Sequence, residues 1–318
     1  MGLNRELDRS APGALRHLAA PRIVSRRFKT SREHVPARHW VRNDPYYTAF
    51  FNALSAVFPH GEAFMIRSMA AWVEQLPDPL KEQARQFIEQ EAGHTREHVV
   101  MNRGLVQAGY EVEPLQGAIK AFVGFFEGAG DVTKIAATMC IEHLTAIVAA
   151  ELIEKPHHLE GSDAELRELW IWHALEEIEH KSVAYDVWQY AARDWSAPRR
   201  YVFRSILMLA ISGSFFFNRT MGQIKLLKQD GVGAWPALKG VLRCGFGKRG
   251  IARAVAKPWA AFFRPGYHPW DIDDRLLLAA GEAILATAAA QRAGYDGLVI
   301  APAGPVERRR ASRTAKAA

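Results

Sequence analysis

The sequence predicts an all-α protein. Apolar residues recur at spacings of three and four along most of the chain, the repeat of one helical face, and no convincing run alternates as a half-buried strand would. Long helical stretches also follow one another through short connections containing Pro, Gly and Asp, which is the pattern of an antiparallel four-helix bundle.

An irregular basic arm occupies residues 1–44. The first helix is predicted from Pro45 to about Leu76, with Pro59 in "AVFPHGEAF" marking a kink or restart. "LPDP" closes it and places Asp78 and Pro79 at the next helix start. The second helix runs to about Gly109. The third spans Leu115 to Lys155, broken near "GAGD" at 128–131, where Asp131 can cap the restart. The fourth starts near Ser162 and Asp163 and runs to about Arg193, so the bundle covers 45–195.

A helical extension, 196–295, is expected to pack on this bundle. It holds the uncharged segment "ILMLAISGSFFF" (206–217), flanked by Arg199, Arg200 and Arg204 before it and Arg219, Lys225 and Lys228 after it. A bilayer span needs about 20 apolar residues, so the segment reads first as a buried helix. The alternative is a contact with a membrane surface or with a hydrophobic substrate. Shorter helices around 234–246 and 248–263, the turn "RPGYHPWDID" and an amphipathic helix at 272–292 follow. Residues 296–318 read as a disordered basic tail, and no internal repeat is evident.

The net charge of +7 resides in the two ends: residues 1–45 carry +6, residues 307–318 carry +4, and the remainder is −3. No basic helix or RNA-binding signature accompanies it, so nucleic acid is not an expected partner. Cys140 and Cys244 form neither a CxxC pair nor a secreted disulfide framework, which suggests a reducing compartment. The opening residues contain no apolar stretch of signal-peptide length, and no Ser or Thr completes a myristoylation motif after Gly2. The expected location is the cytoplasm, with association to a membrane through 206–217 left open.

Each of the four bundle helices offers one set of metal-capable side chains. Glu62 is the lone carboxylate between Pro45 and Trp72; "IEQEAGHTREH" gives Glu91 and His94; Glu142 is alone in "IAATMCIEHLTAIVAA"; "HALEEIEHK" gives His173, Glu177 and His180. Offsets of 0, 4 and 7 put the last three on one helical face. An ionised carboxylate in an apolar interior costs many kcal/mol unless it is paired or binds a metal. The order Glu, Glu-x-x-His, Glu, Glu-x-x-His is that of dinuclear carboxylate bundles. A lone Glu-x-x-His carries little weight; the ordered set on four successive helices is the signal.

The segments "FFNALSAVFPHGEAFMIRS", "FIEQEAGHTREHVVMN", "IEHLTAIVAAELIE" and "LWIWHALEEIEHKSVAYDV" resemble the bacterial family called predicted metal-dependent hydrolases, within the ferritin-like superfamily, over most of residues 25–290. The resemblance implies a ferritin-like four-helix bundle with a dinuclear metal site. His-x-x-x-Glu-x-x-His in the last helix is similar to the di-iron arylamine N-oxygenases. That match implies Glu62, Glu91, His94, Glu142, Glu177 and His180 as six ligands and His173 as a seventh. The rest of the chain does not clearly resemble the N-oxygenases, so their substrate does not carry over.

Other residues read more plainly. His98 can ligate, support a ligand or simply be hydrogen-bonded. His143 is turned about 100° from its neighbour Glu142 and reads as a partner. His60 reads as structural, His157 and His158 as surface, Cys140 as core, and Glu176 and Glu179 as solvated. Asp186 is a candidate for orienting a ligand histidine, and Arg67 and His143 are the nearest cations to the lone glutamates. No nucleophile elbow, Walker A loop or dinucleotide fingerprint is present.

Mixed carboxylate and imidazole donors suit two metal ions, with iron favoured and manganese or zinc also compatible. With iron the chain is expected to be an O2-activating oxidase or oxygenase drawing on an electron donor. The alternatives are a binuclear Zn or Mn hydrolase and a non-enzymatic metal- or peroxide-handling protein. Phe51, Phe58, Phe64, Phe122, Phe125, Phe126, Trp170 and Trp172 read mostly as core. Where some line a cavity, they suit a small hydrophobic or aromatic substrate. Self-association stays open.

Overall fold

In the computed structural model the described residues are 23–24 and 26–291. The predicted tail, 296–318, and the first half of the arm lie outside them. Among the described residues the chain is helical, with no β-strand and only isolated bridges such as Val41 with Ser162.

The predicted first helix is two, α1 (Pro45–Ser55) and α2 (Phe58–Ala70), with Pro59 in the first turn of α2, where its missing N–H costs nothing. Asp44 caps α1 by accepting from the backbone N–H groups of Tyr46 and Tyr47. After "LPDP" comes α3 (Leu80–Gln107), and Gly109, at φ +90°, turns the chain away. The third predicted helix is broken as expected into α4 (Glu113–Glu127) and α5 (Asp131–Glu154). Gly130, not Asp131, is the cap of α5. Asp131 is the first helical residue, where its charge favours the helix N-terminus without a capping bond.

Asp163 caps α6 (Ala164–His180) by accepting from the Leu166 N–H, and α7 (Val183–Ala191) continues after a break at Lys181 and Ser182. The extension comprises α8 (Ala197–Gln229), α9 (Ala234–Phe246), α10 (Ile251–Ala261) and α11 (Arg275–Gln291). α2 packs against α3 and α5, and α6 packs against the same two helices, so four helices enclose one interior. α5 is apolar on nearly every side and is also covered by α7, α8 and α10, which explains its lack of a polar face.

The segment 206–217 is only partly core. Met208 and Ile211 are buried on the α8 face toward α5, while Ile206, Leu209 and Phe217 are 55–66% exposed. α5 and α8 are both long and apolar enough to cross a membrane; the apolar stretch of α5 is 78% buried by protein and that of α8 only 22%. Phe125, expected in the core, is also exposed.

Candidate metal centre

The enclosed interior receives Glu62 from α2, Glu91 and His94 from α3, Glu142 from α5, and His173, Glu177 and His180 from α6, every one of them buried. His180 Nε2 lies 3.2 Å from Glu91 Oε1, and its Nδ1 lies 2.9 Å from Glu142 Oε2. His94 Nδ1 is 3.4 Å from Glu91 Oε1 and 3.9 Å from Glu177 Oε1. His173 Nε2 is 2.9 Å from Glu177 Oε1 and 3.9 Å from Glu62 Oε1. Two donor groups emerge, Glu91–His94–Glu177–His180 and Glu62–His94–His173, each with its donor atoms within 4.8 Å of one another. Glu142 adjoins the first group through His180.

These residues fit metal ions on their own chemistry. Glu91 Oε2, Oε1 of Glu142 and of Glu62, and Nδ1 of His94 are buried and make no hydrogen bond, and His180 meets only carboxylates, Glu142 and Glu91. Buried polar atoms are rarely left so. Among the described residues no Lys or Arg pairs with any of the four carboxylates. The arrangement is that of a buried His/Glu cluster able to hold a dinuclear metal site.

Without an ion the charges are strained. Burial holds Glu62 and Glu91 well above the usual carboxylate range and Glu142 at about 7. Burial equally lowers His94 to about 3 and His173 to about 4, leaving both neutral as a ligand must be. For Glu177 burial is outweighed by the His173 hydrogen bond and the charges of His180, His173 and His94, which bring it to about 2. For His180 burial is outweighed by Glu142, Glu177 and Glu176, which lift it to about 9.

A surrounding layer fixes the donors. His98, among its three sequence readings, stands behind His173 and belongs to neither donor group. Its Nε2 lies 2.7 Å from His173 Nδ1 and its Nδ1 lies 2.9 Å from Ser55 Oγ, which donates to Asn102 Oδ1. Thr95 donates to Glu62 Oε2 at 2.8 Å, and Thr145 donates to Glu177 Oε2.

Glu176 and Glu179, expected in solvent, are buried, because the N-terminal arm covers them. Glu176 Oε2 is 3.2 Å from His94 Nε2, and its Oε1 accepts from the Arg26 backbone N–H and the Trp172 indole. Glu179 accepts from the Val24 N–H and Gln90 and pairs with Arg26 at 2.8 Å. Phe28 of the arm stacks on Trp172, whose ring meets His94 edge-on. An arm without regular structure gives no periodic signal, and "EEIE" looks like a solvated run once the arm is out of sight. Thr95, beside His94, and Thr145, one turn after Glu142, were visible only as neighbours of the motif.

The remaining candidates stand apart. His143 meets the Tyr267 hydroxyl at 3.1 Å. Asp186 pairs with His268 rather than with a histidine of the cluster. His158 is buried against Glu151 instead of lying at the surface, and Arg67 pairs with exposed Glu127 rather than Glu62. His60 belongs to neither donor group, and Cys140 is core.

A cavity of about 300 Å3 opens beside the cluster. Glu62, Glu177 and Thr145 form part of its wall, and most of the rest is apolar, including Phe58, Ile119 and Phe122 from the bundle and Phe215 and Phe217 from α8. The segment 206–217 therefore covers the cavity as well as packing on the core.

A family model described as predicted metal-dependent hydrolase matches residues 24–273. No curated protein and no solved structure matches the chain.

Proposed function

The chain belongs to the family of predicted metal-dependent hydrolases, and on that premise we propose that it hydrolyses a small hydrophobic ester or amide at a dinuclear metal centre. The observation that carries this reading is that Glu62 and Glu177 serve two places at once, the donor cluster and the wall of an apolar cavity. The proposed ligands are Glu62, Glu91, His94, Glu142, His173, Glu177 and His180. Zinc or manganese suits this donor set in a hydrolase.

A pair of divalent ions bound there supplies Lewis acidity and makes water a nucleophile at neutral pH. The protein does the rest. Thr95 and Thr145 aim Glu62 and Glu177, Glu176 aims His94, and His98 aims His173, so the donor atoms are set before substrate arrives. Apolar side chains from α2, α4 and α8 take up the hydrophobic body of the substrate and keep bulk water from the reacting bond. The exposed apolar face of α8 supports peripheral contact with a membrane as the source of such a substrate. Loss of vesicle cosedimentation in Phe217→Asp is the expected result, and unchanged partitioning removes the contact.

The test loads the protein with Zn, Mn or Fe and assays p-nitrophenyl hexanoate and the matching anilide. Metal-dependent turnover that falls at least about tenfold in the cavity-filling variant Ala118→Trp, at unchanged metal content, supports the proposal. Turnover indifferent to metal overturns it.

A second reading, O2-dependent oxidation with iron and an external electron donor, draws on one observation: the donor set is rich in carboxylates, with four beside three imidazoles. The sequence alone favoured this reading, whereas the family description supports hydrolysis. Anaerobic Fe(II) loading followed by O2 separates them. A transient visible charge-transfer band speaks for oxidation, and iron inert to O2 beside active zinc or manganese speaks for hydrolysis.

A further inference from the structure

Arg219 lies on α8 where two cavities meet. It lines the cavity beside the donor cluster and a second, partly open one of about 340 Å3 walled by α1, α5, α8, α9 and α10. Leu54 and Phe215 are shared by both walls, and Arg219 is the only charged side chain among the described residues lining the second. Its guanidinium stacks over the Phe50 ring at 4.1 Å. Nη1 is sealed from solvent and makes no hydrogen bond, and no carboxylate among the described residues pairs with the group.

An apolar cavity wall is a costly place for an unpaired cation. Burial accordingly lowers the Arg219 pKa, to about 10, although the group remains charged near neutrality. The cluster does not relieve it. Two divalent ions bound there would be balanced by the four carboxylates, and neither Glu62 nor Glu177 forms an ion pair with Arg219 among the described residues. Lys225, the other cation on the first cavity, is exposed and donates to the Pro114 carbonyl at 3.2 Å. A hydrophobic molecule with an anionic group would supply what the site lacks, because a guanidinium presents a planar fork that matches a carboxylate.

We propose that Arg219 anchors the carboxylate of an amphiphilic substrate whose apolar body occupies the cavity, placing the reacting bond, remote from that carboxylate, toward Glu62 and Glu177. This deepens the hydrolytic reading and rests on it for the reacting end alone; the anchor is a matter of binding.

Calorimetry on the metal-loaded full chain, with decanoate and decan-1-ol as probes, tests it. Wild type is expected to prefer decanoate by roughly tenfold to a hundredfold, the value of a hydrogen bond to a charged group. Arg219→Met is expected to lose that preference while binding decan-1-ol as before, and to keep Tm or raise it slightly, because a half-buried cation without an ion-pair partner among the described residues is gone. Arg219→Lys, which keeps charge but not the fork, retains a reduced preference and carries the test if the Met variant does not fold. No preference in wild type, or an undiminished preference in both variants, overturns the anchor. A Tm loss in Arg219→Met with the preference intact assigns Arg219 to packing on Phe50 and also overturns it. Metal content of the same samples keeps the two readings apart: two ions bound without a carboxylate preference refute only the anchor, and a preference without bound metal refutes only the dinuclear reading.

Discussion

His98 holds His173 from behind: its Nε2 lies 2.7 Å from His173 Nδ1, while the other His173 nitrogen faces Glu177 and Glu62. Assigning protons from the network gives a consistent direction. If His173 Nε2 is kept free for a metal, Nδ1–H donates to His98, His98 Nδ1–H donates to Ser55, and the Ser55 hydroxyl donates to Asn102. Removing such a support typically costs 10–100-fold in metal affinity. His98→Ala is therefore expected to bind metal roughly tenfold to a hundredfold more weakly with helical content intact, by metal titration and circular dichroism. Wild-type affinity in that variant would show that His173 needs no support from His98.

Glu62 and Glu142 are lone carboxylates on otherwise apolar stretches, and no Lys or Arg among the described residues pairs with either. Replacing either by Ala is expected to lose one or both metal ions while the helices survive. In the metal-free chain Glu62→Ala removes a carboxylate that burial disfavours, so Tm should hold or rise, whereas Glu142→Ala leaves His180 without its partner at 2.9 Å and should lower Tm. Elemental analysis beside thermal melts checks both parts. Unchanged metal stoichiometry in both variants would sink the ligand assignment.

What the sequence revealed and hid follows from how each feature is encoded. Helices and donors share a period, so Glu91 with His94, and Glu177 with His180, could be placed on one face by counting. Pro59, "LPDP" and "GAGD" announce helix breaks through local backbone chemistry, and the breaks occur there. Burial imposed from a distant segment has no local code. Glu176 and Glu179 are adjacent to the motif yet are buried by residues some 150 positions earlier. In the sequence Arg219 is only the flank of an apolar segment, and the packing of α8 on α1 brings it to a cavity wall.

The arm makes its own prediction. Arg26 pairs with Glu179 at 2.8 Å with both side chains buried, and its backbone N–H holds Glu176, which touches His94. Truncating one partner of a buried pair leaves the other charge uncompensated, at a cost of about 3–5 kcal/mol. Arg26→Ala is expected to lower stability by an amount in that range, whereas Arg26→Lys should recover part of it. Denaturant titration measures the difference. A loss within about 0.5 kcal/mol, as at an ordinary surface site, would mean that the arm does not hold Glu179 in solution.

The protonation of the metal-free cluster fixes the sign of a pH effect. Glu62 and Glu91 titrate well above the ordinary carboxylate range and Glu142 near 7, while His180, near 9, holds a proton at neutrality. Ligation requires each of these groups to be deprotonated, so ions compete with protons for the site. His94 and His173, lowered to about 3 and about 4, offer no such competition. A carboxyl whose folded pKa lies above its unfolded value binds its proton more tightly in the fold. The metal-free chain therefore loses that contribution to stability as pH rises through about 7 for Glu142. Metal binding should move the opposite way, strengthening from pH 6 to 8 by up to about tenfold per pH unit for each proton released. Calorimetric titration of Zn or Mn in two buffers of different ionisation enthalpy counts those protons. Affinity that is flat across this range, with no proton released, would mean that the cluster is already deprotonated before metal arrives and that its buried carboxylates find compensation elsewhere in the chain.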